Sequence, residues 1–479
     1  EILPGGQSSL YGSDAIAGVI NIILKDRLEG GVFNVRGGVY TEGGGDTIRM
    51  SLAHGFSGFD GRLNVLAGLQ YEHRNPIWAS DRDLTMEFNR NGYSAQTASR
   101  DYLVYSATRS SNSYYFLDPN NCSNVTGQFD GTEGLRTRPG FGQYCGSFST
   151  PGYRTLKNGK DSQQVYTHAT FDVSDNFQVY GDVLYSHEEN EYNVGSSFLW
   201  WGTGSKWGAF YDPNLDDLVN LQRAFSPEDI GGEGYPNTNN KDTSRSYMVT
   251  LGGKGTFGSS AWDYDVNFTR NEYRLDERSF VRWNDPVNDY FEQRVLGPQQ
   301  GWDPYFDAYP VFTPDYAAFY TPMSPADFAS FTGQTTNKSK TWDNMLRAQI
   351  TNGSLFQLPG GDAGLAVVVE GGSQGWEYTP DANLIPDPET LESNVWGLTS
   401  VSGGGHRSRY AVTSELRLPV WEPLTITVAG RYDAFKADGE TIDKPTYSLG
   451  IEYRPIDSLL LRGKYGTAFR APTLSDQFQ

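Results

Sequence analysis

Side chains that commonly perform catalysis or bind metals are few and widely spaced in this sequence. The tripeptide His187-Glu188-Glu189 lacks the second histidine of a zinc-protease helix. Acidic residues cluster within 212–229 and 303–315, but without the fixed spacing and central glycine of a calcium loop, so we interpret both clusters as solvated acidic loops. No nucleophile elbow or phosphate-binding loop occurs. We therefore predict that the chain is not an enzyme and holds no cofactor and no metal. The histidines, expected in loops or facing a lumen, are His54, His73, His168, His187 and His406.

The two cysteines, Cys122 and Cys145, lie in one stretch that is dense in asparagine, glycine and serine. A lone pair that closes a short loop predicts a disulfide formed in an oxidising compartment. The alternative is two free thiols. A metal site would need more ligands nearby, and the local segment supplies none.

Two aromatic-rich segments, 196–211 and 302–320, are the best candidates for binding a ligand. Aromatic rings stack on sugars, catechols and other flat molecules. The alternative, which we favour, is that these rings form an interfacial girdle and pack long loops against each other. The candidate ligand-binding residues are Trp200, Trp201, Trp207, Tyr211, Trp302 and Tyr305.

Composition excludes several classes of protein. The formal net charge of -20 comes without a basic stripe, so we predict no nucleic-acid partner. No run of about 18 apolar residues is present, which excludes a transmembrane helix. The first residues have neither the basic region nor the cleavage site of a signal peptide. Abundant glycine and aromatic residues, with few helical windows, favour strands and turns.

Alternation of apolar and polar residues at period two is the dominant pattern in the chain. In 424–435, for example, Leu424, Ile426 and Val428 share one face of a strand, while Thr425 and Thr427 share the other. The same pattern predicts thirteen antiparallel strands, at about 31–41, 46–57, 61–78, 163–173, 177–194, 244–255, 262–283, 341–357, 363–378, 404–419, 424–437, 444–454 and 458–470.

The connections between these strands alternate between short turns and long loops. The long loops span about 79–162, 196–243 and 284–340. Short turns on one side and long loops on the other are typical of an outer-membrane barrel, whereas a soluble sandwich seldom needs such loops. We therefore predict an all-β fold, a transmembrane antiparallel β-barrel. Inward-facing basic residues would pair with carboxylates or, less plausibly, guide an anionic substrate: Arg409, Arg417, Arg431, Arg462 and Lys464.

The first 25 residues contain a long ordered motif in which glycines suited to tight turns precede an apolar strand. This string resembles the end of the plug domain in TonB-dependent outer-membrane receptors, although Gln7 replaces the usual proline and Ala17 a frequent glycine. A second motif, Phe469, Arg470, Ala471 and Pro472, resembles a stretch found after a strand in the barrels of that family. The matching residues of the first motif are Gly6, Ser8, Tyr11, Gly12, Ala15, Gly18, Ile20, Asn21, Ile22 and Lys25.

The resemblance implies a plug folded inside a barrel of about 22 strands. Residues 1–29 would then be the C-terminal end of the plug, and 30–479 the N-terminal part of the barrel, with about thirteen strands. We expect the TonB box, most of the plug and the other strands to lie outside this chain. The two truncations would explain the odd strand number.

The function implied by the resemblance is receptor-mediated import across the outer membrane of a Gram-negative bacterium. Such a receptor binds a scarce extracellular nutrient (a siderophore, cobalamin, an oligosaccharide or a peptide) and imports it with energy from the TonB system. The implied partners are TonB, that small-molecule nutrient, and outer-membrane lipid with lipopolysaccharide. The sequence does not distinguish between these substrates, because one fold serves many functions.

Two other functions remain open. A surface barrel with a structural or adhesive role would lack a TonB box upstream. A secreted β-rich enzyme acting on carbohydrates would be soluble and would carry a pair of carboxylates at matched strand ends. The alternation fits such an enzyme, but the sequence shows no such pair.

Overall fold

One antiparallel sheet of thirteen strands forms the wall of the molecule. The structure, a computed structural model, describes residues 2–4, 7–13, 15–16, 18–21, 25–87, 98–196 and 199–478. Each strand of the wall pairs with the next strand of the wall along the chain, which confirms the predicted count. The strands are β1 (Gly31–Gly38), β2 (Thr47–Gly58), β3 (Leu63–Arg74), β4 (Gly159–Ser174), β5 (Phe177–Tyr192), β6 (Asn240–Thr256), β7 (Trp262–Arg282), β8 (Thr332–Leu358), β9 (Gly361–Thr379), β10 (Gly403–Trp421), β11 (Leu424–Ala437), β12 (Glu440–Ile456) and β13 (Leu459–Gly466).

The two faces of the wall differ in chemistry. One face exposes apolar side chains at positions paired across strands, such as Leu251, Phe268 and Leu346, which are 63%, 46% and 54% exposed. We call it the outer face, and it has the apolar surface that lipid chains prefer. The inner face is polar and contacts residues 7–13. A typical cross-strand contact there joins the hydroxyl groups of Thr250 and Thr269, 2.9 Å apart.

Three of the wall strands that follow long connections begin four or more residues earlier than the alternation predicted. β8 begins at Thr332 instead of 341, β6 at Asn240 instead of 244, and β4 at Gly159 instead of 163. The additional residues are polar on both faces of each strand, so the alternation of apolar and polar residues did not identify them as strand. The backbones of these residues are nevertheless paired with the neighbouring strand. For example, Arg282 of β7 lies opposite Thr332. The long connections are correspondingly shorter than predicted.

Among the strand ends that differ from the prediction, two change the element to which residues belong. The predicted strand 61–78 is two elements, because β3 ends at Arg74 and Ile77–Trp78 pairs instead with Thr155–Lys157. β13 ends at Gly466, so the second motif follows the strand without belonging to it. At the Asp438-Gly439 turn, both residues have positive φ, as a two-residue hairpin between β11 and β12 requires.

The long connections fold into a structure of their own, which we call the cap: the described residues of 75–158, 193–239, 283–331 and 380–402. Its main sheet has six strands: Tyr102–Ser106, Gly134–Arg138, Gly142–Gly146, Trp200–Gly202, Phe210–Asp212 and Asp217–Ala224. Its α-helices are Pro227–Ile230, Asn284–Phe291, Tyr316–Phe319 and Pro325–Ser330, and a π-helical turn follows at Glu292–Leu296. Single 3₁₀ turns occur at Ala79–Asp81, Thr150–Tyr153, Thr203–Ser205, Tyr235–Thr238 and Ala382–Leu384.

The main hydrophobic core lies in the cap and not in the wall. Its fully buried aromatic side chains include Trp201, Phe210, Phe225, Phe291 and Phe331. Ring pairs such as Phe225 and Phe331, with centroids 5.6 Å apart, give this core specific packing. None of the helices among the described residues is long and apolar enough to cross a membrane.

The N-terminal segment forms a small separate unit. Ile2–Pro4 pairs antiparallel with Gly18–Ile20, and between them lies the short helix Ser8–Tyr11. A last helix, Leu474–Phe478, follows the second motif and packs against β10.

Candidate functional site

The helix Ser8–Tyr11 docks on the inner face of the wall, against β10, β11 and β12. Its Ser9 hydroxyl donates to the Ser448 hydroxyl of β12 at 2.9 Å, and both side chains are buried. The ammonium group of Lys464 on β13 donates to the side-chain oxygen of Gln7 at 2.6 Å. Side chains of the wall therefore hold the N-terminal segment in place.

The two sequence motifs, far apart in the chain, meet at this docking site. The backbone N–H of Phe469 donates to the Ser8 hydroxyl at 3.4 Å. Ala471 is buried, and the carbonyl oxygen of Pro472 accepts from a guanidinium nitrogen of Arg407 on β10 at 2.6 Å. Both motifs thus contribute to one contact between the N-terminal segment and the wall.

Gly12 ends the helix at a position that only glycine fits well. Its φ is +92°, and a Cβ atom built there would lie 3.1 Å from a guanidinium nitrogen of Arg431. The Arg431 side chain is 8% exposed and is held by Glu370 at 2.7 Å and by Asp433 at 2.9 Å. It also donates to the Thr413 hydroxyl at 2.9 Å. A fixed cation therefore lies directly beneath the turn at Gly12.

Other inward-facing basic residues are also paired with carboxylates of other strands of the wall. Arg409 contacts Asp343 at 2.8 Å, and Arg462 contacts Glu452 at 3.0 Å. These contacts support pairing, the alternative that the sequence favoured, over guidance of an anionic substrate.

The remaining residues of the first motif differ in their solvent exposure. Ala15 is buried, whereas Tyr11, Ile20 and Lys25 are exposed, and Gly18 and Asn21 are intermediate. Gly6 and Ile22 lie outside the described residues. Tyr11 and Ile20 are thus large apolar side chains that the contact with the wall leaves exposed.

The candidate ligand-binding aromatics divide into a buried group and an exposed group. Trp201 is fully buried, stacks on Phe291 with ring centroids 4.0 Å apart, and donates from its indole N–H to Asn288 at 3.1 Å. Trp200 packs edge-on against Trp396 at 4.9 Å, and Trp207 packs against Phe312. These three tryptophans therefore contribute to the packing of the cap.

A group of exposed aromatic residues projects from the cap at 302–306. Trp302, Tyr305 and Phe306 are 57%, 65% and 65% exposed. We call these three residues the aromatic tip. The Tyr305 hydroxyl donates to Asp216 at 2.8 Å, and the Tyr211 hydroxyl donates to the same carboxylate oxygen at 2.7 Å.

The carboxylate of Asp303 holds the backbone of the aromatic tip in place. It accepts four backbone N–H groups, from Tyr305, Phe306, Ala308 and Tyr309, at 2.7–3.1 Å. Desolvation opposes its charge, but these donors outweigh that effect and lower the pKa of Asp303 to about 2. The tip therefore presents its rings without the cost of ordering a flexible loop.

The acidic residues Asp216 and Asp303 were interpreted from the sequence as members of solvated acidic loops. The structure shows instead that both shape the aromatic tip. No sequence signal separated them from their neighbours, because their partners are backbone groups and tyrosine hydroxyls brought together by the fold.

Cys122 and Cys145 form a disulfide with a Cα–Cα distance of 5.8 Å. In the described part of the chain, one group of side chains has a spacing that would suit a metal, and it consists of these cysteines and Asp118. Disulfide sulfur is not the thiolate that metals require. The Asp118 carboxylate instead accepts backbone N–H groups of Asn120 and Cys122.

The inner face below the cap contains a cavity of about 490 Å³. Inward-facing residues that line it include Leu184, Met248, Asn271, Tyr273 and Asp343. Its volume lies in the range of small-molecule sites, and its lining mixes apolar and polar groups.

A family profile decides the identity of the wall. The profile described as TonB dependent receptor-like, beta-barrel, matches residues 179–479, more than half of the chain. The chain belongs to the TonB-dependent receptor family. No curated protein matches it significantly. The predicted resemblance and the predicted barrel fold are both confirmed.

Solved structures of TonB-dependent receptors share this fold at low sequence identity. A mutant ferric enterobactin receptor from Pseudomonas aeruginosa in complex with enterobactin has a TM-score of 0.51 and 12% identity, over 99% of this chain and 49% of that chain. The ferripyoverdine receptor of the outer membrane of Pseudomonas aeruginosa, bound to ferripyoverdine, has a TM-score of 0.52 and 13% identity, over 98% and 46%.

The structure of the FpvAI–pyocin S2 complex has a TM-score of 0.53 and 12% identity, over 98% of this chain and 45% of that chain. The chain thus spans about half the length of the solved structures that it matches. At these identities the likeness establishes the fold alone.

Proposed function

We propose that this chain is part of a receptor that lies in the outer membrane of a Gram-negative bacterium and imports a scarce nutrient with energy from the TonB system. Membership of the TonB-dependent receptor family supports the transport role. The apolar outer face supports the membrane location.

We further propose that the substrate is a ferric siderophore with flat aromatic groups. The observation that carries this proposal is the aromatic tip, whose three exposed rings are held in place by Asp303 and Asp216. Exposed rings on an ordered turn offer a stacking surface for catechols and similar groups. Two of the similar structures are named for ferric enterobactin and ferripyoverdine, which is consistent with this substrate class.

Within the chain, we propose that residues 1–29 are the end of a plug and that 30–479 belong to the barrel. The contacts of Gln7 and Ser9 with the inner face support this division. These contacts bring the first motif to the inner face, which supports a plug that lies in the lumen.

The test is uptake of iron-55 complexes of a siderophore panel by a strain that lacks the native gene and carries the full-length gene on a plasmid. We expect uptake of at least one complex, and loss of that uptake when TonB is absent. Uptake that persists without TonB would contradict energy coupling. Absence of uptake for the whole panel, from a correctly assembled receptor, would contradict the substrate class.

The double variant Trp302→Ala, Tyr305→Ala tests the aromatic tip. We expect its apparent affinity for the transported complex to fall about tenfold or more, because each stacked ring contributes about 0.5–1.5 kcal/mol. Leu391→Ala is a matched control, because this cap residue is 73% exposed and lies in a different connection. Equal affinity of the double variant and the control would show that the aromatic tip does not contribute to ligand binding.

A further inference from the structure

Two long connections of the cap, 75–158 and 193–239, enclose a second cavity, of about 630 Å³. Residues of both connections line it, among them Arg100, Arg154 and Trp200. We call it the arginine cavity. It lies apart from the cavity on the inner face, because the described residues that line the two cavities do not overlap. Its volume is in the range of sites that bind small molecules.

The two arginines of this cavity have no carboxylate partner among the residues that the structure describes. A guanidinium nitrogen of Arg100 donates to the Tyr114 hydroxyl at 3.2 Å, which is a neutral acceptor. The Arg154 side chain makes no hydrogen bond or ion pair within the described part of the chain. Both arginines are exposed. Since a guanidinium group carries five N–H donors, most of the donors on these two side chains are available to a ligand.

Asp101 is the one acidic residue among the described residues that line the cavity. It is fully buried, and one of its carboxylate oxygens accepts the backbone N–H of Ser147 at 2.7 Å and the hydroxyl of the same residue at 2.6 Å. Burial raises the pKa of Asp101. Because its acceptors are used by Ser147 and its charge is disfavoured, this carboxyl group competes weakly for the arginines.

Hydrogen bonds of the backbone hold both arginines in place. The side-chain amide of Gln222, which also lines the cavity, donates to the carbonyl oxygen of Arg100 at 2.9 Å. The backbone N–H of Ala79 donates to the carbonyl oxygen of Arg154 at 2.8 Å, and Arg154 is bridged antiparallel to Val194. The cations are therefore carried by an ordered backbone, which reduces the entropy lost when a ligand binds.

The rest of the lining offers a ring surface and uncharged polar groups. Trp200 is partly buried, and its indole provides a flat apolar surface of the kind that packs against a ring. The hydroxyl-bearing residues Ser99 and Ser196 also line the cavity. Cations, hydroxyl groups and an indole together match a molecule that has a negative charge, several hydroxyl groups and a ring.

The arginine cavity is distant from the aromatic tip. The Tyr305 hydroxyl contacts Asp216, which lies next to the first residue of the cap strand Asp217–Ala224. Gln222, near the other end of that strand, lines the cavity. At about 3.3 Å per residue, Asp216 and Gln222 are about 20 Å apart. A small molecule in the cavity therefore does not touch the tip.

We propose that the arginine cavity binds an acidic monosaccharide, such as a uronic acid. The guanidinium groups of Arg100 and Arg154 bind the carboxylate, which the planar arginine fork matches in geometry. Trp200 packs against the sugar ring, and the serine and glutamine side chains accept or donate hydrogen bonds to its hydroxyl groups. This site goes beyond the import of a siderophore proposed above, since it requires neither the aromatic tip nor TonB.

The test measures binding of D-galacturonate to the full-length receptor in detergent by isothermal titration calorimetry. We expect binding to wild type and about tenfold weaker binding to Arg154→Gln, because a hydrogen-bonded charge is lost. The double variant Arg100→Gln, Arg154→Gln should bind about a hundredfold more weakly. D-galactose, which has a hydroxymethyl group in place of the carboxylate, should bind wild type at least tenfold more weakly than D-galacturonate.

Arg294→Gln is the matched control. Arg294 is an exposed arginine of the cap on another connection, and it does not line the cavity. We expect it to bind D-galacturonate like wild type. Arg154→Gln should fold like wild type, because the described structure shows no side-chain contact that the change removes. The comparison of D-galacturonate with D-galactose uses wild type alone and decides the outcome if a variant does not assemble.

Several results would overturn the proposal. The first is no binding of D-galacturonate to wild type, and the second is equal binding to wild type and to Arg154→Gln. Equal binding of D-galactose would remove the role of the carboxylate. Benzoate that binds as tightly as D-galacturonate would identify a site for aromatic acids, and displacement by an equal concentration of sulfate would identify a site for simple anions.

Iron uptake by the same receptor separates this proposal from the transport proposal. If the siderophore panel is not taken up while D-galacturonate binds, the transport proposal fails and the acidic-sugar site stands. If uptake is normal and D-galacturonate does not bind, the acidic-sugar site fails and the transport proposal stands.

Discussion

Asp229 is the buried carboxylate that joins three separate connections of the cap. It pairs with Arg223 at 3.1 Å, accepts from the Gln128 amide at 2.8 Å and from the backbone N–H of Met323 at 3.0 Å. The side chains of Asp229 and Arg223 are 0% and 3% exposed. Arg223 also donates to the Thr321 carbonyl at 3.0 Å. One carboxylate thus connects segments about a hundred residues apart in sequence.

We expect Asp229→Asn to destabilise the cap by about 3–5 kcal/mol, because the guanidinium of Arg223 would stay buried without its counter-charge. Limited proteolysis of the purified receptor, followed over temperature, measures this loss. Glu389→Gln, a change in an exposed cap residue, should have no effect. A cap that resists protease equally in both variants would show that Asp229 is not essential to the contact between the connections.

A pair of buried carboxylates, Asp101 and Glu133, makes the stability of the cap depend on pH. Burial raises the pKa of Asp101, and burial together with the Asp101 carboxylate raises the pKa of Glu133 well above its usual value. Because both pKa values are higher in the folded cap than in the unfolded chain, the stabilising contribution is complete below about pH 4. This stabilising contribution is lost as the pH rises through the pKa values that the two carboxyl groups have in the folded cap.

We therefore expect the cap to unfold at a lower temperature as the pH is raised from 4.5 to 8. Asp303 does not mask this trend, since its lowered pKa affects stability only below about pH 4. In the variant Asp101→Asn, Glu133→Gln, the unfolding temperature of the cap should depend less on pH. A wild-type cap whose stability rises over this range would contradict the assignment. The sequence could not predict this pair, because nothing local brings residues 101 and 133 together.

At the scale of elements, the disulfide lies inside the core of the cap, where Cys122 and Cys145 are fully buried. It connects the strand Gly142–Gly146 to the turn region before Gly134–Arg138. The two cysteines are 23 residues apart, and a loop of that size contributes about 3 kcal/mol through the entropy of the unfolded chain.

Replacement of both cysteines by serine should lower the unfolding temperature of the cap and leave the wall unchanged, because the disulfide lies within the cap. Protease cleavage within 98–157 reports on the cap, and heat-modifiable migration on gels reports on the wall. Reduction of the wild-type protein after mild heating should give the same cleavage. Simultaneous loss of the wall would show that the two parts unfold as one unit.

How well each element could be predicted from the sequence depended on the environment of its two faces. Strands such as β11 were predicted to within a residue, because one face meets an apolar environment and period two is strong there. The first residues of β8, Thr332 to Lys340, are polar on both faces and were predicted as loop. The six-stranded sheet of the cap was not predicted at all, since its strands are three to eight residues long and both faces of its central strand are buried.

For the whole molecule, the family and the barrel fold were predictable because two ordered motifs and a repeated strand pattern agree. The candidate site was less predictable. The sequence identified two aromatic-rich segments but could not separate Trp201, which is buried, from Tyr305, which is exposed. That distinction depends on how three connections pack together, and alternation within one strand carries no information about it.

In the proposed outer-membrane location, the length of β7 and β8 would set how far the cap stands from the membrane surface. β7 continues for twelve residues beyond Arg270, to Arg282, and β8 runs beside it along that whole length. With a rise of about 3.3 Å per residue and a tilt of about 40°, this part of the two strands extends about 30 Å along the barrel axis. In the outer-membrane location proposed above, a cap raised by that distance would extend into the sugar layer around the bacterium. The aromatic tip would then be within reach of antibodies and other large molecules that never touch the lipid.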